Sequence, residues 1–255
     1  AASFKRFMGT MYKSSLGERW YSSQELSAMI LRQLKRDAEE YLGEQVEEAV
    51  ISVPAYFNDE QRFATKQAGL LAGLKVERLI NEPSAAALSC RNLENEEDES
   101  FLVIDFGGGT LDVSVVECFD QMIEILAVSG DNKLGGNDFD KRIAEHFCRE
   151  HGLEYDHLCQ QHRLELLKSA EWCKRQLTEK NAGMMEWDSP DGKKGLIFTS
   201  EDLIRVSAPI LKRMEEVVGK ALRDASIDIG EIDKIVLVGG TCRMPVIRQY
   251  IHHFT

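Results

Sequence analysis

An acidic residue, three glycines and a threonine separate two short apolar runs in the stretch FLVIDFGGGTLDVSVV, residues 101–116. Each run has the length of a β-strand, so the stretch predicts a hairpin with the glycines at its tip. Glycine lets backbone N–H groups approach an anion closely, and a tip of this kind can bind phosphate. The plainer alternative is a tight turn with acids beside it by chance.

Carboxylates flank this tip and occur at one other strand end. Asp105 ends the first run and Asp112 begins the second, so both should lie near the tip. A carboxylate repels phosphate unless a cation lies between them, and a phosphate site here therefore implies Mg²⁺. Glu82 follows an apolar run and could orient or deprotonate a water molecule, although an acid so placed is more often a cap or loop residue. Lys5 belongs to a lone basic pair, which is usually a surface feature.

Two more glycine pairs occur, at 135–136 in a predicted loop before a helix and at 239–240 where a predicted strand ends. None of the glycine turns is followed by GK[ST], and none has the GxGxxG pattern before a helix. The sequence therefore disfavours P-loop NTPases and nicotinamide-binding Rossmann enzymes. Glu171, Lys174 and Arg175 have helical spacing and share a face, which a surface ion-pair cluster would also explain.

Alternating strands and helices must position these residues, and they indicate an α/β protein with sites at strand ends. The first predicted helix, 24–42, has an apolar stripe and Ser23 as its predicted N-cap. The acidic run at 94–100 predicts a solvated loop between two lobes. The other predicted elements are strand 49–55, helix 58–74 capped by Asn58, strand 75–83, a helix from 84, strand 122–130, helix 138–150, helix 161–181, hairpin 184–198, helix 201–225, strand 234–240 and a C-terminal helix.

Composition excludes several classes of protein. The net charge of −12 disfavours nucleic acid as the main partner. No run of about 18 apolar residues is present to predict a membrane span, and the N-terminus lacks the apolar core of a signal peptide. The six cysteines are scattered without a CxxC pair, which is typical of reduced thiols. We therefore expect a cytoplasmic protein with neither nucleic acid nor membrane as a partner.

Five segments together resemble the nucleotide-binding domain of the DnaK-type seventy-kilodalton heat-shock chaperones. They occur in the family's order at near-family spacings, and the resemblance covers essentially the whole chain. The segments are ISVPAYFNDEQRFATKQAG, RLINEPSAAAL, VIDFGGGTLDVSVV, SGDNKLGGNDFD and IVLVGGTCRMPVIRQ. The words FKR-MG, ISVPAYF and GDN-LGG are most similar to the HscC-type bacterial branch.

The resemblance implies the actin-like ATPase fold, with two ribonuclease H-like lobes of mixed β-sheet and flanking helices that bind ATP between them. The first lobe would be incomplete. The implied division is lobe I at 1–96, with 1–20 from its upper subdomain and 21–96 from its lower one, and lobe II at 97–255, with 97–135 and 205–255 in its lower subdomain and 136–204 in its upper one.

The resemblance also implies roles at the phosphate end of the site. Lys5 would contact the γ-phosphate and the attacking water, and Glu82 would position that water or take its proton. Asp105 would lie near Mg²⁺, and Asp112 would help to bind K⁺. The phosphate loop and its catalytic hydroxyl would be Gly107, Gly108, Gly109 and Thr110.

At the adenosine end, the resemblance assigns Glu171 and Lys174 to the ribose. Arg175 and Arg243 would stack on the two faces of adenine, which requires the planar guanidinium group. Thr178 and Thr241 occupy positions where most family members have serine, and both retain a hydroxyl group. The same pocket would be lined by Gly136, Gly239 and Gly240.

The implied partners are a J-domain cochaperone, a nucleotide-exchange factor and unfolded polypeptides, the last through a substrate-binding domain that this chain lacks. An interdomain switch would pair Pro54 with Arg62. The J-domain surface would include Asn58, Asp59, Arg78 and Asn81.

The resemblance thus predicts an ATP-driven chaperone that hydrolyses ATP by Mg²⁺-assisted in-line attack of water. The family's first phosphate loop, DLGTT, and its later NPDEAVA-like loop have no counterpart in these residues. We therefore expect a fragment with weak nucleotide binding and little turnover. The alternatives are a non-enzymatic module that keeps its cochaperone surfaces and an actin-like sugar kinase, which would need a sugar-binding aspartate.

Overall fold

The computed structural model describes residues 4–91, 98–119 and 122–254. The chain forms two compact units, Ala1–Arg91 and Asn92–Thr255, called here the first and second units. The predicted acidic loop at 94–100 falls largely on residues outside these described ranges. In the described ranges no helix is long and apolar enough to cross a membrane.

The first unit contains two separate two-stranded sheets in its described part. The strands at Lys13–Leu16 (β1) and Arg19–Ser22 (β2) pair antiparallel, whereas those at Glu48–Val53 (β3) and Lys75–Asn81 (β4) pair parallel. The parallel pair brings the carboxyl ends of both strands to one edge, where the ensuing loops meet. The elements are a 3₁₀ turn at Phe4–Phe7, β1 Lys13–Leu16, β2 Arg19–Ser22, α1 Ser23–Leu42, β3 Glu48–Val53, α2 Asp59–Leu71, β4 Lys75–Asn81 and α3 Glu82–Cys90.

The N-cap of α1 is Ser22, so the prediction of Ser23 was wrong by one residue. The hydroxyl oxygen of Ser22 accepts from the N–H of Glu25 at 3.3 Å, and the Glu25 carboxylate accepts from the N–H of Ser22 at 2.8 Å. This reciprocal capping box needs an acid or amide three residues after the cap. Ser22 has Glu25 there, whereas Ser23 has Leu26, which offers no acceptor.

The second unit is built on a mixed four-stranded sheet of order β10-β5-β6-β7, in which only the β10–β5 pair is parallel. Strands β8 and β9 form a separate hairpin. The elements are β5 Glu99–Phe106, β6 Leu111–Phe119, β7 Met122–Asp131, α4 Gly136–Glu150, α5 Gln160–Glu179, β8 Ala182–Ser189, β9 Gly192–Thr199, α6 Ser200–Ala225, β10 Lys234–Val238 and α7 Pro245–Phe254, with 3₁₀ turns at Tyr155–His157, Ile229–Glu231 and Thr241–Arg243.

A single apolar core joins this sheet to the helices of the second unit. The rings of Phe106, at the end of β5, and Phe139, in the first turn of α4, are both fully buried and meet edge to face at 6.1 Å. Such a contact fixes the start of α4 against the end of β5. The core therefore holds the two glycine segments at 107–109 and 135–136 near each other.

The strand predicted at 75–83 ends at Asn81, and α3 begins at Glu82. Pro83 lies in the first turn of α3, where its missing N–H costs nothing because first-turn N–H groups have no partner within the helix. The sequence pattern predicts that Pro83 ends a strand, but in the structure this proline lies in the first turn of a helix. Glu82 is consequently the first helical residue after β4.

Candidate functional site

The hairpin predicted at 101–116 is confirmed, with its tip at residues 107–110. Asp105 and Asp112 are directly opposite each other across the β5–β6 pair, so their carboxylates flank the tip. The N–H of Gly107 donates to the carbonyl oxygen of Thr110 at 3.0 Å and closes the turn. The tip is therefore a tight turn with two acids at its base, as both readings of the sequence require.

The start of α4 is bonded to this tip through the backbone. The N–H of Gly136 donates to the carbonyl oxygen of Gly107 at 3.0 Å, and the N–H of Asn137 donates to that of Gly108 at 2.8 Å. A Cβ atom at Gly135 would overlap the backbone of Gly108 and Gly109, so only glycine permits this approach. We call residues 107–110 and 135–137 the glycine clamp.

The loop after β10 reaches the same clamp. Strand β10 runs parallel to β5, with Val238 beside Asp105, so the next residues pass the hairpin tip. The hydroxyl group of Thr241 donates to the carbonyl oxygen of Gly107 at 2.9 Å. Gly239 has a φ of 89°, and a Cβ atom there would overlap the Phe106 carbonyl and lie 2.8 Å from Oδ1 of Asp105.

Lys174 extends from α5 to the clamp. Of the two predicted ribose contacts, Glu171 and Lys174, only Lys174 is seen to reach the clamp in the described residues. Its Nζ donates to the carbonyl oxygen of Gly136 at 2.9 Å and lies 2.7 Å from Oδ1 of Asp140. The Lys174 side chain is 14% exposed and that of Asp140 is 9% exposed. Burial raises the pKa of Asp140, and the neighbouring Lys174 opposes that effect.

The other residues assigned to adenosine lie nearer to solvent. Arg175 pairs with Glu171 at 2.7 Å on the exposed face of α5, as the surface ion-pair alternative predicts. The hydroxyl group of Thr178 donates to the carbonyl oxygen of Lys174 at 3.3 Å. Arg243 is exposed in the 3₁₀ turn after Gly240. A cavity of about 190 Å³ beside these elements is lined by residues that include Lys174, Leu177, Thr178, Leu203, Met244 and Val246.

Cys242 lies directly behind this loop. It is buried, and its thiol donates to the carbonyl oxygen of Ile104 on β5 at 3.6 Å. Burial raises the pKa of Cys242 to about 11, so the thiol is neutral near neutral pH. The side chain therefore packs the loop against the sheet and is not poised to react.

The two carboxylates at the hairpin base suit a hard cation. A Cβ atom at Gly130 would lie 2.9 Å from Oδ1 of Asp112, and one at Gly239 would lie 2.8 Å from Oδ1 of Asp105, so glycine is needed for the backbone to approach these acids so closely. Across the described ranges, no cluster of three or more metal-ligating side chains is present. Mg²⁺ commonly takes one or two carboxylates and completes its shell with water and phosphate oxygens. A carboxylate at the hairpin base therefore suits Mg²⁺ that is bound together with a phosphate ligand.

In the first unit, Nζ of Lys5 lies 2.8 Å from Oε1 of Glu82, so the structure brings the two predicted catalytic residues together. The Lys5 side chain is 58% exposed and that of Glu82 is 25% exposed. Met8 anchors the segment because it is buried in a small core with Val53 of β3 and Phe57. The pair is thus held at the carboxyl end of the parallel β3–β4 sheet.

Arg62 joins three segments at this same edge. Its Nη2 donates to Oδ1 of Asn81 at 2.7 Å and its Nε donates to the carbonyl oxygen of Phe57 at 3.0 Å. A longer bond of 3.4 Å runs from Nη2 to the carbonyl oxygen of Ala55, next to the buried Pro54. A predicted switch residue, Arg62, therefore contacts a predicted cochaperone residue, Asn81.

The remaining predicted cochaperone residues have different surroundings. Asn58 is the N-cap of α2, as its position in the sequence predicts, and its Oδ1 accepts from the N–H of Gln61 at 2.9 Å. Asp59 is exposed at the start of α2. Arg78 is exposed on β4, in register with Val50 of β3.

Sequence reasoning missed Asp140 and Asn137, which hold the clamp in place. The usable signal for Asp140 was its position one helical turn after Gly136, on the face that the apolar pattern of α4 turns inward.

Comparison with known proteins adds one finding. A family model described as Hsp70 protein matches residues 5–255, all but the first four residues of the chain.

Proposed function

The chain belongs to the Hsp70 family, and we propose that its second unit binds ATP and ADP at the glycine clamp and serves the ATPase cycle of a chaperone. The nucleotide-binding domain of this family has the actin-like ATPase fold, and the chain is a mixed α/β protein with seven α-helices in its described residues. Hsp70 proteins bind ATP and ADP with Mg²⁺. They act with J-domain proteins and nucleotide-exchange factors on client proteins.

The observation that carries the proposal is the convergence of three chain segments around one hairpin tip. The carbonyl oxygen of Gly107 accepts from both Gly136 and Thr241, and Lys174 binds the carbonyl oxygen of Gly136. At Gly135, Gly136 and Gly239, a Cβ atom would meet another segment. Such packing brings backbone dipoles and an ammonium group to one place, which suits a polyanion.

The ammonium group of Lys174 has three N–H groups, and the two protein oxygens beside it leave room for a third contact. We assign that contact to the ribose. Arg175 and Arg243 are exposed and free to lie flat on adenine once the Arg175–Glu171 pair rearranges. Because the single O–H of Thr241 is donated to Gly107, this hydroxyl group can only accept from a ligand.

For the acids of the hairpin, we assign Asp105 to Mg²⁺ and Asp112 to a monovalent cation. Bound Mg²⁺ would neutralise charge on the phosphate oxygens. Gly107, Gly108 and Gly109, with Thr110, hold the phosphates through backbone and hydroxyl groups. Within the turn, the N–H of Gly107 donates to the carbonyl oxygen of Thr110, whereas the bonds from α4 to the tip use the carbonyl oxygens of Gly107 and Gly108.

For hydrolysis, we assign Glu82 as the group that orients the attacking water or takes its proton. Lys5 lies 2.8 Å from Glu82 and would contact the γ-phosphate. The pair costs little to separate, because an exposed ion pair contributes about 0–1 kcal/mol. The contact between Lys5 and Glu82 can therefore open without a large penalty.

The proposal is tested by calorimetric titration of the 255-residue chain with Mg·ADP and Mg·ATP. Arg175→Lys keeps the charge but removes the planar group, and we expect the Kd to rise about 5- to 30-fold, the worth of a desolvated stacking contact. Arg163→Lys is the matched control, because Arg163 lies on the same helix about 18 Å away. Equal affinities for the two variants would refute the adenine assignment.

Absence of any nucleotide binding, combined with retained binding of a J-domain, would instead favour the non-enzymatic module. The J-domain surface that we propose comprises Asn58, Asp59, Arg78 and Asn81, next to the Pro54–Arg62 switch. Arg62→Lys removes the fork that reaches both Asn81 and the Phe57 carbonyl, so we expect weaker J-domain binding from this variant. The HscC-type branch and a cytoplasmic location stay predictions from the sequence.

A further inference from the structure

We propose that Asp140 is a positioning residue of the nucleotide site, which fixes Lys174 and, through Lys174, the glycine clamp. The inference rests on the proposed function only for the identity of the ligand. Asp140 lies one helical turn after Gly136 on α4, and its Oδ1 is 2.7 Å from Nζ of Lys174. Because both side chains are largely withdrawn from solvent, with 14% of Lys174 and 9% of Asp140 exposed, each ion has the other as its main compensating charge.

The surrounding charges favour this pairing over any other for Lys174. Glu171 lies one turn before Arg175 on α5 and is engaged by it at 2.7 Å. Arg175 is itself exposed and directed to that surface pair. Of these acids, Asp140 is therefore the one that holds the Lys174 ammonium group in the interior.

Two hydrogen bonds link Lys174 to the tip of the β5–β6 hairpin by way of Gly136. Nζ of Lys174 donates to the carbonyl oxygen of Gly136, whose own N–H donates to the carbonyl oxygen of Gly107. The peptide groups on either side of Gly136 are thus held by α5 and by the hairpin. Without a carboxylate at 140, the buried ammonium group would turn toward water and leave the Gly136 carbonyl oxygen.

The first test needs no nucleotide. Amide hydrogen exchange is measured by NMR at Gly136 and Asn137 in the unsubstituted chain, in Asp140→Asn and in Glu145→Gln. Glu145 is the matched control, since it is an acid on the same helix whose partners are the exposed Lys141 and Arg142. We expect exchange at both amides to rise about tenfold in Asp140→Asn and to stay within about twofold in Glu145→Gln.

Two results would overturn the inference. One is exchange at Gly136 and Asn137 in Asp140→Asn that matches Glu145→Gln. The other is an equal rise at the amides of the β5–β6 pair, which would show that the substitution only lowers the stability of the whole unit. The same substitution in a Lys174→Met chain tests whether Asp140 acts on Gly136 through Lys174. In that chain, Asp140→Asn should add little to the exchange rate at Gly136.

The second test is the Kd for Mg·ADP. Asp140→Asn should raise it about tenfold, the worth of one hydrogen bond to a charged group, and Glu145→Gln should leave it unchanged. An unchanged Kd in Asp140→Asn, with binding by the unsubstituted chain, contradicts the positioning role. If the unsubstituted chain binds no Mg·ADP, the proposed function fails, and the exchange measurement alone decides the role of Asp140.

Discussion

Replacing Gly239 by alanine should destabilise the second unit far more than the same change at Gly240, although the two residues are adjacent. Gly239 has a φ of 89°, a region in which an L-residue costs about 1–2 kcal/mol. The new Cβ atom would also overlap the Phe106 carbonyl, and making room for it in a packed site costs about 1–3 kcal/mol. Gly239→Ala should therefore lower the free energy of unfolding by about 2–5 kcal/mol.

Gly240 differs in both respects. Its φ is −65° and its ψ is −31°, and nothing lies within 4 Å of a Cβ atom built on it. An alanine that fits the native backbone stabilises a protein by about 0.4–1 kcal/mol, because the unfolded chain loses freedom. The unfolding free energy of Gly240→Ala should thus equal or slightly exceed that of the unsubstituted chain.

The measurement is urea unfolding followed by the methyl signals of Ile104 and Val113, which are fully buried in the second unit. Signals from this unit are needed because the chain has two compact units that need not unfold together. If Gly239→Ala and Gly240→Ala unfold within about 0.5 kcal/mol of each other, the close approach of the β10 loop to β5 is wrong.

Two further predictions concern titrating groups of the second unit. The N–H of Thr199 and then its hydroxyl group lower the pKa of Asp202 at the start of α6, so the stability from this acid is present at neutral pH and lost as pH falls through the lowered pKa. Asp202→Asn should lower the free energy of unfolding by about 1 kcal/mol at neutral pH. The urea midpoints of this variant and of the unsubstituted chain should converge well below pH 3.9, and a difference that stays constant with pH would contradict the role of Asp202 in the cap. Among the six thiols, iodoacetamide should modify the exposed Cys90 and Cys159 first, whereas Cys242, buried with a pKa raised to about 11, should react only on unfolding, as peptide mass mapping would show.

The hairpin and its acids were predictable because their pattern is local. Two apolar runs, a glycine tip and an acid at each side specify the register that places Asp105 opposite Asp112. The cap of α1 was misplaced by one residue for an equally local reason, since two adjacent serines lie at the start of the helix and only Ser22 has an acid three residues later.

Other parts of the site depend on contacts that no local pattern records. Asp140 is significant because Lys174, on another helix, reaches it in the interior, and the sequence shows only an acid within an amphipathic helix. Strands β1 and β2 went unpredicted because KSSL and RWYS lack the alternation of apolar and polar residues that marks a half-buried strand. In both cases the local structure depends on a contact with another segment of the chain, and the local pattern does not identify that segment.

The two hydrogen bonds that the carbonyl oxygen of Gly107 accepts bear on the order in which the site is assembled. This oxygen accepts from Gly136 and from Thr241, and the second bond spans 134 positions along the chain. During synthesis, the hairpin emerges long before β10 exists to carry Thr241 to it. A contact between residues so far apart in the sequence costs more chain entropy to close than the hairpin does, so we expect the site to be completed after the hairpin has formed. A ligand that needs the complete site will stabilise only chains that have finished this step, and its binding therefore distinguishes mature molecules from intermediates.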